Sequence, residues 1–69
     1  MKVSLRDSVQ FRKLLIEKGY SQRQFSKEIG VSETYLNQII NMKRHPSPDI
    51  SKKITEQLQM DFYDLFIIK

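Results

Sequence analysis

The polar side chains best suited to specific binding are concentrated between residues 33 and 44. Three residues of this stretch carry side-chain amides, and each amide offers a hydrogen-bond donor and an acceptor. Two cations follow the amides and are suited to holding an anion. The set comprises Glu33, Thr34, Asn37, Gln38, Asn41, Lys43 and Arg44. These side chains are suited to binding a partner through directional hydrogen bonds and charge.

The chain lacks the residues that catalysis and metal binding require. It has no cysteine and a single histidine, His45, with no second ligand beside it. No set of acid, base and nucleophile can be assembled on that histidine. With 69 residues, the chain is also too short for doubly wound sheets or TIM barrels. We therefore expect a protein that is not an enzyme, has no catalytic or metal site and needs no cofactor.

The formal net charge of +4 is unevenly distributed. Residues 1–54 contain 11 Lys and Arg against 5 Asp and Glu, whereas residues 55–69 have a net charge of −2. The basic body predicts a polyanionic partner, and the alternative is an ordinary solvated surface. No apolar run approaches the ~20 residues of a membrane span, and the first residues lack the apolar region of a signal peptide. We expect a cytoplasmic protein with no membrane partner.

The elements that position these side chains are predicted to be helices in a single all-α domain. The domain is expected over residues 1–69, with its core at about 7–66. The first of five helices is predicted over about 7–18, with Ser8 as N-cap and Gly19 just after its end. Each later helix is expected to start at a residue that can cap free backbone amides: Ser21, Ser32, Ser47 and Asp61.

The second and third predicted helices have the spacing of a helix-turn-helix, expected over residues 21–41. Only Gly30-Val31-Ser32 separates them, and a glycine in so short a joint permits a sharp turn. The small Ser26 lets the two helices cross closely. The apolar residues expected in their shared core are Phe25, Ile29, Val31, Leu36 and Ile39.

Together, these residues resemble the Cro/C1-type, or lambda-repressor-like, family of DNA-binding domains. The resemblance covers roughly residues 9–66. It is carried by Gly19-Tyr20-Ser21-Gln22, Phe25-Ser26-Lys27-Glu28-Ile29-Gly30-Val31-Ser32, Tyr35-Leu36-Asn37-Gln38-Ile39, Lys43-Arg44, Pro46-Ser47 and Asp64-Leu65-Phe66. The family implies a compact five-helix fold whose third helix enters the major groove of DNA.

The resemblance also implies which side chains contact DNA. Base contacts fall on the third predicted helix: Glu33, Thr34, Asn37 and Gln38. Phosphate contacts fall on residues around it: Gln22, Arg23, Lys27, Tyr35, Asn41, Lys43 and Arg44. Gln suits adenine, Thr the methyl group of thymine and Glu the amino group of cytosine. The alternatives are solvated, capping or partly buried roles, and Arg12 and Lys13 are interpreted as surface charges.

The sequence departs from the family pattern at two places. Met42 stands where the family usually has glycine after a Glu-Asn pair, and the pair here is Ile40-Asn41. Asn41 is therefore expected to adopt the left-handed conformation that ends the third helix. Glu33 would place a carboxylate beside DNA phosphates, where it would contact a cytosine or reject wrong sites.

The C-terminal residues are more apolar than one small core requires. The residues expected in the core are Phe62, Leu65 and Phe66. The residues expected at a homodimer or partner surface are Tyr63, Ile67 and Ile68. Residues 2–6 alternate as a strand does, so the two chain ends could pair. The alternative is a tail packed wholly within one chain.

These expectations predict a sequence-specific transcriptional regulator, specifically a small Cro-like repressor of a phage or mobile element that acts by operator occlusion. Its partner would be a pseudo-palindromic double-stranded DNA operator, bound by a homodimer that forms in solution or on DNA. The alternative is an antirepressor or modulator that binds another regulator protein instead of DNA.

Overall fold

A computed structural model describes residues 1–69 as five helices and two short strands. In chain order these are β1 (Val3–Leu5), α1 (Ser8–Glu17), α2 (Gln22–Ile29), α3 (Glu33–Ile40), α4 (Pro48–Leu58), α5 (Phe62–Leu65) and β2 (Phe66–Ile68). The predicted all-α class with five helices is confirmed, and the strands are a minor addition. None of the helices is long and apolar enough to span a membrane.

The helix starts follow the predicted capping residues, with one correction; Asp61 precedes α5 as expected, but its side chain forms no capping hydrogen bond. The carboxylate of Asp7 caps α1 by accepting hydrogen bonds from the N–H groups of Val9 and Gln10, so the expectation that Ser8 is the N-cap was wrong. An aspartate one residue earlier satisfies two free N–H groups at once. As predicted, α2, α3 and α4 are capped by the hydroxyl groups of Ser21, Ser32 and Ser47, respectively.

Four residues in the left-handed conformation end the first four helices. Gly19 and Gly30, with φ of 82° and 77°, were expected at such positions. Met42 (φ 60°) ends α3, and Gln59 (φ 57°) ends α4. Asn41 has a φ of −83°, so the expectation that it takes the left-handed role was wrong. The helical turn extends one residue further than predicted, and Met42 occupies the strained position.

A single hydrophobic core of 13 buried residues lies between the helices and the sheet. Phe25 is completely buried in it, with the ring of Phe11 packed edge-on at 6.3 Å between centroids and that of Tyr20 at 5.2 Å. Ile40, at the position where the family usually has a carboxylate, is completely buried. An apolar side chain fits this position because no cation lies in the buried core.

The two chain ends pair as antiparallel strands, as the sequence suggested. Val3 lies opposite Ile68, and Leu5 lies opposite Phe66. Leu65 and Phe66 are buried and Phe62 is half-buried, which places the expected residues in or against the core. The ring Nδ1 of His45 donates a hydrogen bond to the carbonyl oxygen of Val3 at 3.1 Å. The loop between α3 and α4 is thereby attached to β1.

Candidate nucleic-acid interface

The pairing of α2 with α3 determines which side chains face solvent. The N–H of Val31 donates to the carbonyl oxygen of Ser26 at 2.9 Å, and the chain turns at Gly30. A Cβ atom at Gly30 would meet no atom within 4 Å, so the positive φ alone favours glycine there. Ser26 is buried against the turn, and its hydroxyl donates to the carbonyl oxygen of Arg23.

The outward face of α3 consists of polar side chains. Leu36, Ile39 and Ile40 are buried and orient the helix on the core. The residues predicted to contact bases lie on the opposite side, exposed except for the half-buried Gln38: Glu33, Thr34, Asn37 and Gln38. The structure therefore brings the predicted base-contacting residues together on one accessible helix face.

A series of side-chain hydrogen bonds links this face to two other helices. The guanidinium of Arg12 on α1 donates to Oδ1 of Asn41. Nδ2 of Asn41 donates to Oδ1 of Asn37 at 2.9 Å, and Nδ2 of Asn37 donates to Oε1 of Gln22 at 3.3 Å. We refer to Arg12, Asn41, Asn37 and Gln22 as the amide relay. The amide relay thus connects Gln22 and Asn41, which are predicted to contact phosphates, to Asn37, which is predicted to contact bases.

Sequence reasoning missed the part played by Arg12. It interpreted Arg12 as an ordinary surface charge, because helical spacing relates a residue only to neighbours on its own helix. Arg12 and Asn41 are 29 positions apart and meet only when α1 packs beside α3. No pattern in the chain signals that meeting.

Arg44 lies over the other end of the face. Its guanidinium carbon lies 5.1 Å from the centroid of the Tyr35 ring, within the range of a cation–π interaction. Its Nη1 donates to Oε1 of Gln38 at 3.4 Å. Tyr35 is half-buried and packs against the core, as expected for a residue that is partly structural.

The predicted phosphate-contacting cations on α2 and after α3 form no ion pair with acidic side chains. The one ion pair in the structure joins Lys52 and Glu56 on α4, with 4.0 Å between nitrogen and oxygen. The predicted phosphate-contacting cations are all exposed and outside that pair: Arg23, Lys27, Lys43 and Arg44. Their positive charge is available to an anionic partner.

A second, apolar surface lies at the sheet. Tyr63 is 61% exposed and Ile68 is 44% exposed, whereas Ile67 is half-buried. Of these three residues, Ile68 borders a groove of about 430 Å³ that is also lined by Met1, Lys2, Val3, Pro48 and Phe62. Of the three residues predicted to contact a second chain, Tyr63 and Ile68 are therefore accessible at this surface.

Comparison with known proteins agrees with this geometry. A family model described as helix-turn-helix matches residues 11–65. The chain is similar to a protein of Bacillus subtilis (strain 168) named an uncharacterized HTH-type transcriptional regulator, YqaF. The two are 36% identical over 55 residues, which cover 80% of this chain and 72% of that protein. No solved structure matches significantly.

Proposed function

The chain belongs to the Cro/C1-type helix-turn-helix family and is a DNA-binding transcriptional regulator, and we propose that it represses transcription by occluding an operator. The observation that carries this proposal is the exposed amide face of α3, flanked by unpaired cations. In the proposed complex α3 lies in the major groove, where amide, hydroxyl and carboxylate groups can distinguish base pairs. The origin in a phage or mobile element stays a prediction from the resemblance.

The proposed contacts fall into two groups. Glu33, Thr34 and Gln38 contact base edges, and Asn37 keeps one amide hydrogen and one oxygen lone pair free for a further contact. The proposed phosphate contacts come from α2, from α3 and from the residues that follow α3: Gln22, Arg23, Lys27, Tyr35, Asn41, Lys43 and Arg44. Base contacts supply specificity, and phosphate contacts supply orientation and salt-dependent affinity.

We propose that two copies bind together. One domain of this size contacts only one half-site, and a pair of α3 helices about 34 Å apart would occupy successive major grooves. The apolar surface at Tyr63, Ile67 and Ile68 is the proposed contact between the copies, because burying exposed apolar area favours association. Dimerisation converts the second half-site contact into an intramolecular event and raises the overall affinity.

Selection of bound sites from a random DNA pool, followed by mobility-shift titration, tests DNA recognition. We expect a pseudo-palindrome with half-sites about one helical turn apart. Gln38→Ala should weaken operator binding about 5-fold to 150-fold while leaving binding to unrelated DNA unchanged, which is the range for one base contact. The matched control is Gln10→Ala on α1, whose exposed side chain forms no hydrogen bond. Absence of salt-dependent binding to any sequence would refute the proposed function.

Sedimentation velocity tests the proposed dimer contact. Ile68→Lys should shift the chain toward the monomer, because it places a charge in the apolar surface. Ile16→Lys is the matched control, since Ile16 is 76% exposed and lies on α1 instead of the sheet. Equal sedimentation of wild type and Ile68→Lys, with and without operator DNA, would rule out this contact. Repression itself is measured with a reporter whose promoter overlaps the selected operator.

A further inference from the structure

The amide relay ends at a group that has not been assigned a partner. Gln22 accepts the hydrogen bond from Asn37 through Oε1, and its Nε2 amino group makes no hydrogen bond within the structure. That amino group lies at the first turn of α2, because Gln22 is the first residue of the helix. Both hydrogens on Nε2 are available to an acceptor outside the chain.

The direction of the relay depends on the residue at its other end. A row of three amides can be hydrogen-bonded in either of two directions, because each amide has a donor at one end and an acceptor at the other. Arginine has donors and no acceptor. Asn41 must therefore turn its oxygen toward Arg12, and this forces the nitrogen of each successive amide to point away from Arg12.

We propose that Arg12 is a positioning residue for DNA binding, which acts through Asn41 and Asn37 to make Gln22 present its amino group to a DNA phosphate. This inference rests on the proposed function, since it names the anion that the amino group meets. In the opposite direction the relay would end in the carbonyl oxygen of Gln22. That oxygen would face a phosphate oxygen, and two acceptors without a hydrogen between them repel each other.

The backbone at the start of α2 supports the same orientation. Ser21 caps the N–H of Gln24, whereas the N–H groups of Gln22 and Arg23 donate to no acceptor in the structure. These free N–H groups and the positive end of the helix dipole favour an anion. The amino group of Gln22 adds two donors to them only when the relay runs away from Arg12.

A double-mutant cycle tests the proposal. Arg12→Met removes the donor but keeps a long side chain, and Gln22→Ala removes the group that Arg12 is proposed to orient. We expect each single change to lower the affinity for a random-sequence DNA duplex about tenfold, as for one hydrogen bond to a charged group. The double variant should also lose about tenfold rather than a hundredfold, because Arg12 acts only through Gln22.

Matched controls separate positioning from charge and from direct contact. Lys13→Met removes a neighbouring exposed charge outside the relay, so its effect should multiply with that of Gln22→Ala. Arg12→Met should leave the slope of log affinity against log salt unchanged, whereas loss of a direct phosphate contact would reduce it by about one. Arg12→Lys, which keeps a cation that only donates, should recover part of the affinity. Thermal unfolding followed by circular dichroism checks that each variant is folded.

Three results would overturn the inference, and the first is distinguishable from the other two. A wild-type chain that binds no DNA refutes the proposed function and this inference with it. A wild-type chain that binds DNA while the Arg12 and Gln22 effects multiply, or while Arg12→Met reduces the salt slope by one, refutes the positioning role alone. In the latter case Arg12 would contact a phosphate directly.

Discussion

Replacing the two non-glycine residues in the left-handed conformation should have unequal effects on stability. Gln59 ends α4 with a φ of 57°, and Met42 ends α3 with a φ of 60°. Gln59 is exposed and its side chain forms no hydrogen bond. Met42 is 48% exposed, so about half of its side chain is covered. Glycine would relieve the backbone at both positions, but only at Met42 would it remove a partly covered apolar side chain.

The magnitudes follow from these differences. The left-handed conformation costs an L residue about 1–2 kcal/mol, and glycine avoids that cost. Glycine also gives the unfolded chain more conformational freedom, and this offsets about 0.5–1 kcal/mol of that gain in stability. Gln59→Gly should therefore stabilise the fold by about 0.5–1 kcal/mol and raise the Tm by about 2–8 °C. Met42→Gly also loses about 1 kcal/mol of apolar burial and should be nearly neutral.

Thermal and urea unfolding measure both variants against an internal control. Lys53→Gly places glycine in the exposed interior of α4, where it should destabilise the fold by about 1 kcal/mol. The free energy of unfolding should be highest for Gln59→Gly, intermediate and about equal for wild type and Met42→Gly, and lowest for Lys53→Gly. If Gln59→Gly lowers the Tm as Lys53→Gly does, α4 does not end in a left-handed residue and the reasoning fails.

Four further substitutions address α3 and the residues that follow it. Ser32→Ala should destabilise the fold by about 1 kcal/mol, measured by urea unfolding, because the N–H of Tyr35 loses its cap; an unchanged midpoint would contradict this. Lys43→Ala and Arg44→Ala should each weaken binding to all DNA sequences and reduce the salt slope by about one in mobility-shift titrations, and unchanged slopes would remove them from the phosphate contacts. Ile40→Glu should lower the Tm strongly at neutral pH and less at acidic pH, because an unpaired carboxylate would have to be buried in its charged form; equal loss at both pH values would argue against a charge effect.

The helix-turn-helix could be predicted because its determinants are local. Ser21 and Ser32 are helix caps, and Gly30 occupies the left-handed position between the helices. Each of these residues acts on backbone groups within a few positions, so the residue type alone indicates the element. The face of α3 followed from the same spacing, because the burial of Leu36 and Ile39 leaves Asn37 on the other side.

The parts that were missed depend on competition or on distant contacts. Asp7 and Ser8 can both cap a helix, and only the backbone geometry shows that Asp7 binds two N–H groups. Asn tolerates the left-handed conformation better than Met, yet one extra turn residue at the end of α3 places Met42 there. The contact of Arg12 with Asn41 requires α1 and α3 to be side by side, which no single-chain pattern records.

Under the proposed function, hydrogen-bond direction and charge make separate contributions to this surface. Arg12 orients one row of amides and Arg44 holds the oxygen of Gln38, so the side-chain nitrogens of Gln22 and Gln38 are left without an acceptor in the chain. A surface that presents N–H groups complements phosphate oxygens and the acceptor atoms of purines. Glu33 is the single carboxylate on the same face and can only accept. It would favour a cytosine amino group and repel a misplaced phosphate, so discrimination among sites would depend on Glu33 more than on the net charge of the chain.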